Sequence, residues 1–296
     1  MPSITDAASR GRSDVDERPT TVVVPTRDRP SALDVCLEAL SRQTIRDTLE
    51  VVVVDDGSQD ERHVTKIVGR YEHVRLVRIP AAGPSVARNV GVSAALGRHV
   101  LFTDDDCRPE PEWAERLVQA LNDGADAVAG ATINGDGDNP FAEASQIIAN
   151  ALVVPIVEQS RRVSFAPSNN LGCRIEVART ISFDASFQSP GGEDRDWCAR
   201  LVRAGYVLQL EPKGVVLHFQ RLRLGSFWRQ QLRYGRGAYR FRRQSGTRIP
   251  IERPAFYASL LRRGAERGLR VGLLVAAAQL ATAAGFVLEA GRPAGR

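Results

Sequence analysis

Lysine is almost missing from this chain: of its 40 basic residues, all but Lys66 and Lys213 are arginine. Glycine-rich phosphate loops are missing too, since neither G-x-G-x-x-G nor a Walker pattern occurs. That argues against P-loop and dinucleotide-binding proteins and leaves a metal as the main holder of any phosphate. The four cysteines, Cys36, Cys107, Cys173 and Cys198, show no metal-type spacing. They read as reduced thiols of a cytosolic protein. Residues 1–18 have no apolar core, so they read as a disordered lead-in and not as a signal peptide.

The charge that is present is unevenly placed. Residues 1–212 hold 23 Lys+Arg against 32 Asp+Glu, whereas residues 213–270 hold 15 against 2. An acidic body with a basic back end points to an anionic partner for that end, a membrane surface or a polyphosphate. Nucleic acid is not expected, because the acidic body opposes it and no nucleic-acid module is visible.

Hydrophobic residues make up 43% of the chain, enough for a sizeable core. Strand-like runs, Thr21–Val24, Val51–Val54, Val74–Ile79 and His99–Thr103, alternate with helical patterns at 31–43, 60–69 and 84–96. The runs are continuously apolar, which suits a mainly parallel sheet with helices on both faces. Residues 125–133 read as a further strand, and 140–165 as helix then loop. A helix is expected to follow Asp196, with Trp197, Leu201 and Val202 inward. Two short strands are expected at Val207–Leu210 and Val215–His218, then a basic amphipathic helix from Gly225 to Arg243. Residues 271–288 are apolar apart from Gln279 and Thr282. As a helix they would reach about 27 Å, just short of a bilayer core, so a helix that spans or dips into a membrane and a helix that packs on the body are both open readings.

Three strand exits are polar: Thr26-Arg27-Asp28, Asp55-Asp56-Gly57-Ser58 and Asp104-Asp105-Asp106. Parallel strands put all three on one edge, where open α/β sheets bind ligands. Three adjacent carboxylates repel one another. A hard divalent cation, Mg²⁺ or Mn²⁺, would hold them together and bind a diphosphate. A solvated acidic turn is the plain reading of the same triplet.

Five segments together resemble glycosyltransferase family 2 over residues 20–240. They are Val22–Arg29, Val53–Ser58, Gly83–Gly91, Phe102–Asp106 and Gly191–Asp196. The resemblance implies an α/β GT-A (Rossmann-like) fold over 19–220, with a nucleotide half near 19–106 and an acceptor half near 107–220. Residues 221–296 would form a helical C-terminal extension. The implied activity is metal-assisted, inverting transfer of one sugar from a nucleoside-diphosphate sugar, UDP-linked by expectation, to an acceptor hydroxyl.

The resemblance also implies roles. Pro25, Thr26, Arg27, Asp28, Asp56, Gly83, Arg88, Asp104 and Asp105 would bind the nucleotide sugar, with Asp56 accepting from the base and Asp55 forming the Asx turn. Asp104, Asp106 and His218 would hold Mn²⁺ or Mg²⁺. Asp194 would be the general base, with Glu193, Asp196 and Trp197 on the acceptor side. A processive Q-x-x-R-W motif is not found after the base, so single transfer is expected. A lipid-linked or envelope-glycan acceptor fits the basic, apolar end, with the protein cytoplasmic and on the inner face of the cell membrane. Two other readings remain open here. One is a sugar-phosphate nucleotidyltransferase, which should carry a lysine-bearing glycine loop where Pro25–Asp28 stands. The other is a non-catalytic GT-A-like binding protein.

Overall fold

The computed structural model describes residues 19–153, 160–245 and 252–292. The expected lead-in 1–18 lies outside them. One eight-stranded sheet runs through the described residues. Its parallel half holds β1 (Thr20–Thr26), β2 (Leu49–Asp56), β3 (Val74–Ile79) and β4 (His99–Phe102), in the order β3-β2-β1-β4. The other half is mixed. It contains β5 (Cys107–Pro109), β6 (Ala127–Asn134), β7 (Leu171–Arg174) and β8 (Leu208–His218). There β7 runs antiparallel to β4 and β6, β8 is parallel to β6, and β5 is an antiparallel edge.

The continuous apolar runs are explained by two cores, one on each face. Val23, Val52, Val54, Val100 and Phe102 enter one, while Val22, Val24, Val51, Val53 and Leu101 enter the other. Successive side chains of a strand alternate faces, so a strand covered on both sides needs apolar residues throughout. Helices α1 (Pro30–Ser41), α2 (Glu61–Val68) and α4 (Trp113–Asn122) cover one face. Helices α3 (Pro84–Ala94), α6 (Ile175–Thr180) and α7 (Glu193–Arg203) cover the other.

A third core joins α5 (Pro140–Asn150), α8 (Leu224–Gln244), α9 (Pro254–Glu266) and α10 (Leu269–Ala290) through Phe227, Leu260, Val271, Val275 and Ala278. Helix α10 is the one described helix long and apolar enough to cross a membrane, with mean hydropathy 2.0. It also packs on α5, α8 and α9, and 28% of its most apolar window is buried. Leu269, Leu273, Leu280, Val287 and Leu288 stay exposed.

Two local expectations need correction. The strands expected at 207–210 and 215–218 are one strand, β8, with a register shift opposite Gly130 and Ala131. Helix α7 begins at Glu193 instead of after Asp196, and Val202 faces outward at 39% exposure.

Candidate active site

The exits of β1, β2 and β4 meet at one sheet edge, as parallel pairing requires. They open into a cleft of about 930 Å³. Pro25, Thr26, Arg27, Asp56, Gly83, Arg88 and Asp104 line its floor, and Glu193, Asp194 and His218 complete it.

Each member of the acidic triplet has its own partner. Asp104 Oδ1 accepts from Arg88 at 3.0 Å. Asp106 accepts from Arg29 at 2.7 Å and lies 3.4 Å from His218 Nε2. Asp105 is turned inward and fully buried, where it accepts from Thr26 Oγ1 at 2.7 Å and pairs with Arg29 at 2.8 Å. Burial, with its two acidic neighbours, pushes the Asp105 carboxyl up to about 7 despite Arg29. Burial also opposes the charge on Asp106, but His218 and Arg29 outweigh it and hold that carboxyl down to about 2. Three adjacent carboxylates are thus tolerated by two arginines, one histidine and a partly protonated middle member. Arg29 was not foreseen as a partner, since only the fold brings it beside residues 105 and 106.

The donor set fits a hard divalent cation. Asp106 offers oxygen and His218 offers nitrogen, while Asp104, expected as a third ligand, is bonded to Arg88 and is not in the group whose ligand atoms converge. Asp106, Cys107 and His218 bring ligand atoms within 4.8 Å of one another. The buried Cys107 thiol is pushed well up and stays protonated, so the oxygen and nitrogen donors suit the ion better. His218 is oriented from behind, its Nδ1 lying 3.2 Å from Gln146 Oε1 and 2.9 Å from Gln220 Nε2. Such second contacts fix the ring of a ligating histidine.

On the β2 exit, Asp55 makes the turn: its Oδ1 accepts from Ser58 N at 2.9 Å, and Arg78 holds Oδ2 at 2.7 Å. Asp56 accepts from Ala82 N at 2.7 Å and from Gly83 N at 3.0 Å. Gly83 has φ +95°, and a Cβ there would lie 2.5 Å from the Gln188 carbonyl oxygen, so only glycine fits. Asp28 is the one described non-glycine residue with positive φ, at 53°. It bridges the β1 and β2 exits, with its amide on Ser58 Oγ and its carboxylate on Gln59 N, rather than lining the cleft.

Across Arg88 from Asp104, Gly191-Gly192 lead into α7, whose first residues are Glu193 and Asp194. Gly192 has φ +101°, and a Cβ on it would stand 2.6 Å from the Gly237 carbonyl of α8. Backbone contact with α8 therefore sets where α7 starts. Glu193 accepts from Gly191 N at 2.6 Å. Asp194 Oδ2 accepts from Ser168 N at 3.2 Å, while its Oδ1 is buried with no hydrogen-bond partner among the described residues. Burial raises both carboxyls; the Asp194 charge adds to the rise of Glu193, to about 7, and the Asp104 charge adds to that of Asp194. Both residues line the cleft.

Arg88 ties the two sides together. It is 4% exposed, bonded to Asp104 and 3.7 Å from Glu193. Burial opposes its charge, but Asp104, Asp194 and Glu193 more than restore it. Its guanidinium lies 5.5 Å from the Phe183 ring, which in turn stacks on Trp197. Two acceptor-side expectations are corrected by this packing. Trp197 is in the core, 1% exposed, with its indole N–H on the Ile181 carbonyl at 2.6 Å. Asp196 pairs with Arg200 at 2.6 Å, one helical turn on. Neither lines the cleft.

The sheet order and the acidic edge cleft define a GT-A protein. The mannosyltransferase PcManGT from Pyrobaculum calidifontis, in complex with GDP-Man and Mn²⁺, superposes with a TM-score of 0.58 at 19% identity, covering 89% of this chain and 74% of that one. The model of glycosyl transferase family 2 matches residues 21–186. The chain belongs to glycosyl transferase family 2, a family of sugar-transferring enzymes. It is 33% identical over 242 residues to the pre-mycofactocin glycosyltransferase of Mycobacterium tuberculosis, covering 79% of this chain and 50% of that protein. It therefore spans about half the length of that relative. To glycosyltransferase AglE of Haloferax volcanii it is 29% identical over 226 residues, covering 73% and 72%.

Proposed function

We propose that the protein transfers one sugar from a nucleoside-diphosphate sugar to an acceptor hydroxyl, with inversion at the anomeric carbon. The observation that carries this reading is Asp194, a cleft carboxylate whose buried Oδ1 has no hydrogen-bond partner among the described residues. A base there removes the acceptor proton as the hydroxyl attacks. Ser168 N holds the other oxygen and so aims the carboxylate. Arg88 balances the charges of both acidic groups and keeps them at fixed spacing. Asp56 is the reader of the base, because a carboxylate only accepts and keeps lone pairs free beyond its backbone bonds. Asp104, Asp106 and His218 would hold Mn²⁺ or Mg²⁺, which neutralises the departing diphosphate when bound. A uracil N3–H suits Asp56. The structural neighbour carries GDP-Man, so a UDP and GDP donor screen read by nucleoside-diphosphate release is the first test.

The pH profile checks the base pair. Asp194 must be ionised to accept a proton, and burial raises its pKa. Glu193 beside it titrates near 7. The acidic limb of kcat/KM is therefore expected above the ordinary carboxylate range, with activity lost as pH falls through it. Glu193→Gln removes the neighbour that titrates near 7, so any part of the limb set by Glu193 should disappear and the part set by Asp194 should remain. A limb near pH 4 in the wild type would contradict the assignment.

The C-terminal end is proposed to meet the anionic inner face of the cell membrane, where lipid-linked or envelope-glycan acceptors are presented. Exposed Arg229 and Arg233 on α8, and Leu269, Leu273 and Leu288 on α10, support this. The protein should sediment with phosphatidylglycerol vesicles at low salt. The triple variant Leu269→Ser, Leu273→Ser, Leu288→Ser should stay in the supernatant. Equal recovery of both with the vesicles would overturn the role given to these side chains.

A further inference from the structure

Gln279 and Thr282, the polar breaks in the apolar run 271–288, are used by none of the chemistry above. The fold puts both on the wall of the catalytic cleft. Helices α8 and α10 cross in backbone contact. A Cβ on Gly235 would stand 2.0 Å from the Thr282 carbonyl, and one on Gly285 would stand 2.1 Å from the Leu232 carbonyl. Residue 235 against 282 and 232 against 285 make the crossing antiparallel. It leaves Gln231 and Tyr234 of α8 on the same cleft as Gln279 and Thr282 of α10.

Two of these side chains are unsatisfied. Gln231 is 1% exposed, and neither its Oε1 nor its Nε2 has a hydrogen-bond partner among the described residues. Gln279 Nε2 is buried and unpartnered in the same sense. Tyr234 differs, because its hydroxyl already accepts from Gln230 at 3.1 Å. A buried carboxamide without partners destabilises the fold, and native chains seldom keep one without a use. Around these amides the wall is apolar: Phe256, Tyr257, Ala283 and Phe286 line it, and Leu280 and Val287 line it while staying 70% and 67% exposed.

We propose that α8 and α10 form an acceptor subsite in which Gln231 and Gln279 hydrogen-bond a hydroxylated ring borne on an apolar carrier. This rests on the sugar-transfer reading, since the subsite shares its cleft with Asp194. A carboxamide both donates and accepts, as a hydroxyl does, so the two are matched without charge. The apolar carrier lies along the aromatic wall and leaves past Leu280 and Val287. The two polar breaks in α10 are then substrate-reading positions within a helix that is otherwise apolar.

The test uses the full-length protein with octyl β-D-glucoside, below its micelle concentration, and 1-octanol as probes, followed by ligand-observed NMR. Nucleotide-sugar binding with Mn²⁺ is measured separately. The wild type is expected to bind the glucoside more tightly than the alcohol. Gln231→Leu and Gln279→Leu should each weaken the glucoside about tenfold, the scale of a lost hydrogen bond to a buried group, and spare the alcohol. Nucleotide-sugar affinity should not change. Should Gln231→Leu fail to fold, Gln279→Leu at its partly exposed position still decides. Wild-type affinity for the glucoside in the folded Leu variants, or no preference for it over octanol in the wild type, overturns the subsite. Failure of the wild type to bind any nucleotide sugar refutes the transfer reading instead, and is seen in the separate measurement.

Discussion

Asp194→Asn is expected to lower kcat by at least about 10²-fold, the usual scale for removing a general base. The amide keeps the shape of the side chain but cannot take the acceptor proton. Donor affinity should be almost unchanged, because Arg88 still bonds Asp104 and the nucleotide end of the cleft is untouched. A loss in kcat with steady donor binding marks an interaction made only in the transition state. Burial makes the neighbour informative. Glu193 is fixed by the Gly191 amide and faces Arg88, so Glu193→Gln should act mainly on the pH profile. Near-normal turnover in Asp194→Asn with a dead Glu193→Gln would move the base to residue 193.

Asp106→Ala is expected to reduce transfer by on the order of 10²-fold or more, because a cation on the departing diphosphate is worth several kcal/mol. Arg29 keeps Asp105 as a partner at 2.8 Å, so the fold should survive the change, as circular dichroism will show. Excess chelator should silence the wild type, and Mn²⁺ or Mg²⁺ should restore it. Asp106→Ala should not be restored by either ion at ordinary concentration. Full wild-type activity in excess chelator would contradict the metal assignment to Asp104, Asp106 and His218.

These residues were legible in the sequence to different degrees, for physical reasons. The parallel half was readable because Val51–Val54 and its counterparts are buried on both faces and so are continuously apolar. The helix Pro84–Ala94 was readable from its helical pattern, with a proline at its first position. The edge strand Cys107–Pro109 and the strand Leu171–Arg174 were missed. They are three and four residues long and carry no β-branched residue. Helix α4 was missed although Trp113, Leu117 and Leu121 recur at helical spacing, a signal that a count of apolar positions would have found.

Within the site, the motifs located Asp104, Asp106, Glu193 and Asp194, but not their orientation. The inward turn of Asp105 follows from Thr26 and Arg29, and Arg29 lies 76 positions away in sequence. Trp197 was placed inward by its helical spacing, which holds at 1% exposure, but on the acceptor side by the acidic motif, which does not. Helical geometry carries it round to the core, beneath Phe183. Gln231 and Gln279 had no motif to reveal them, since their unsatisfied amides exist only once α8 and α10 cross.

The most direct test of inverting transfer is the anomeric configuration of the first product. UDP-glucose or GDP-mannose, both α-linked, is turned over with Mn²⁺, and proton NMR is recorded before the released sugar mutarotates. A single displacement driven from the Asp194 side gives the β-anomer first, with release stopped by Asp194→Asn. Initial formation of the α-anomer, or unchanged release in Asp194→Asn, would contradict it.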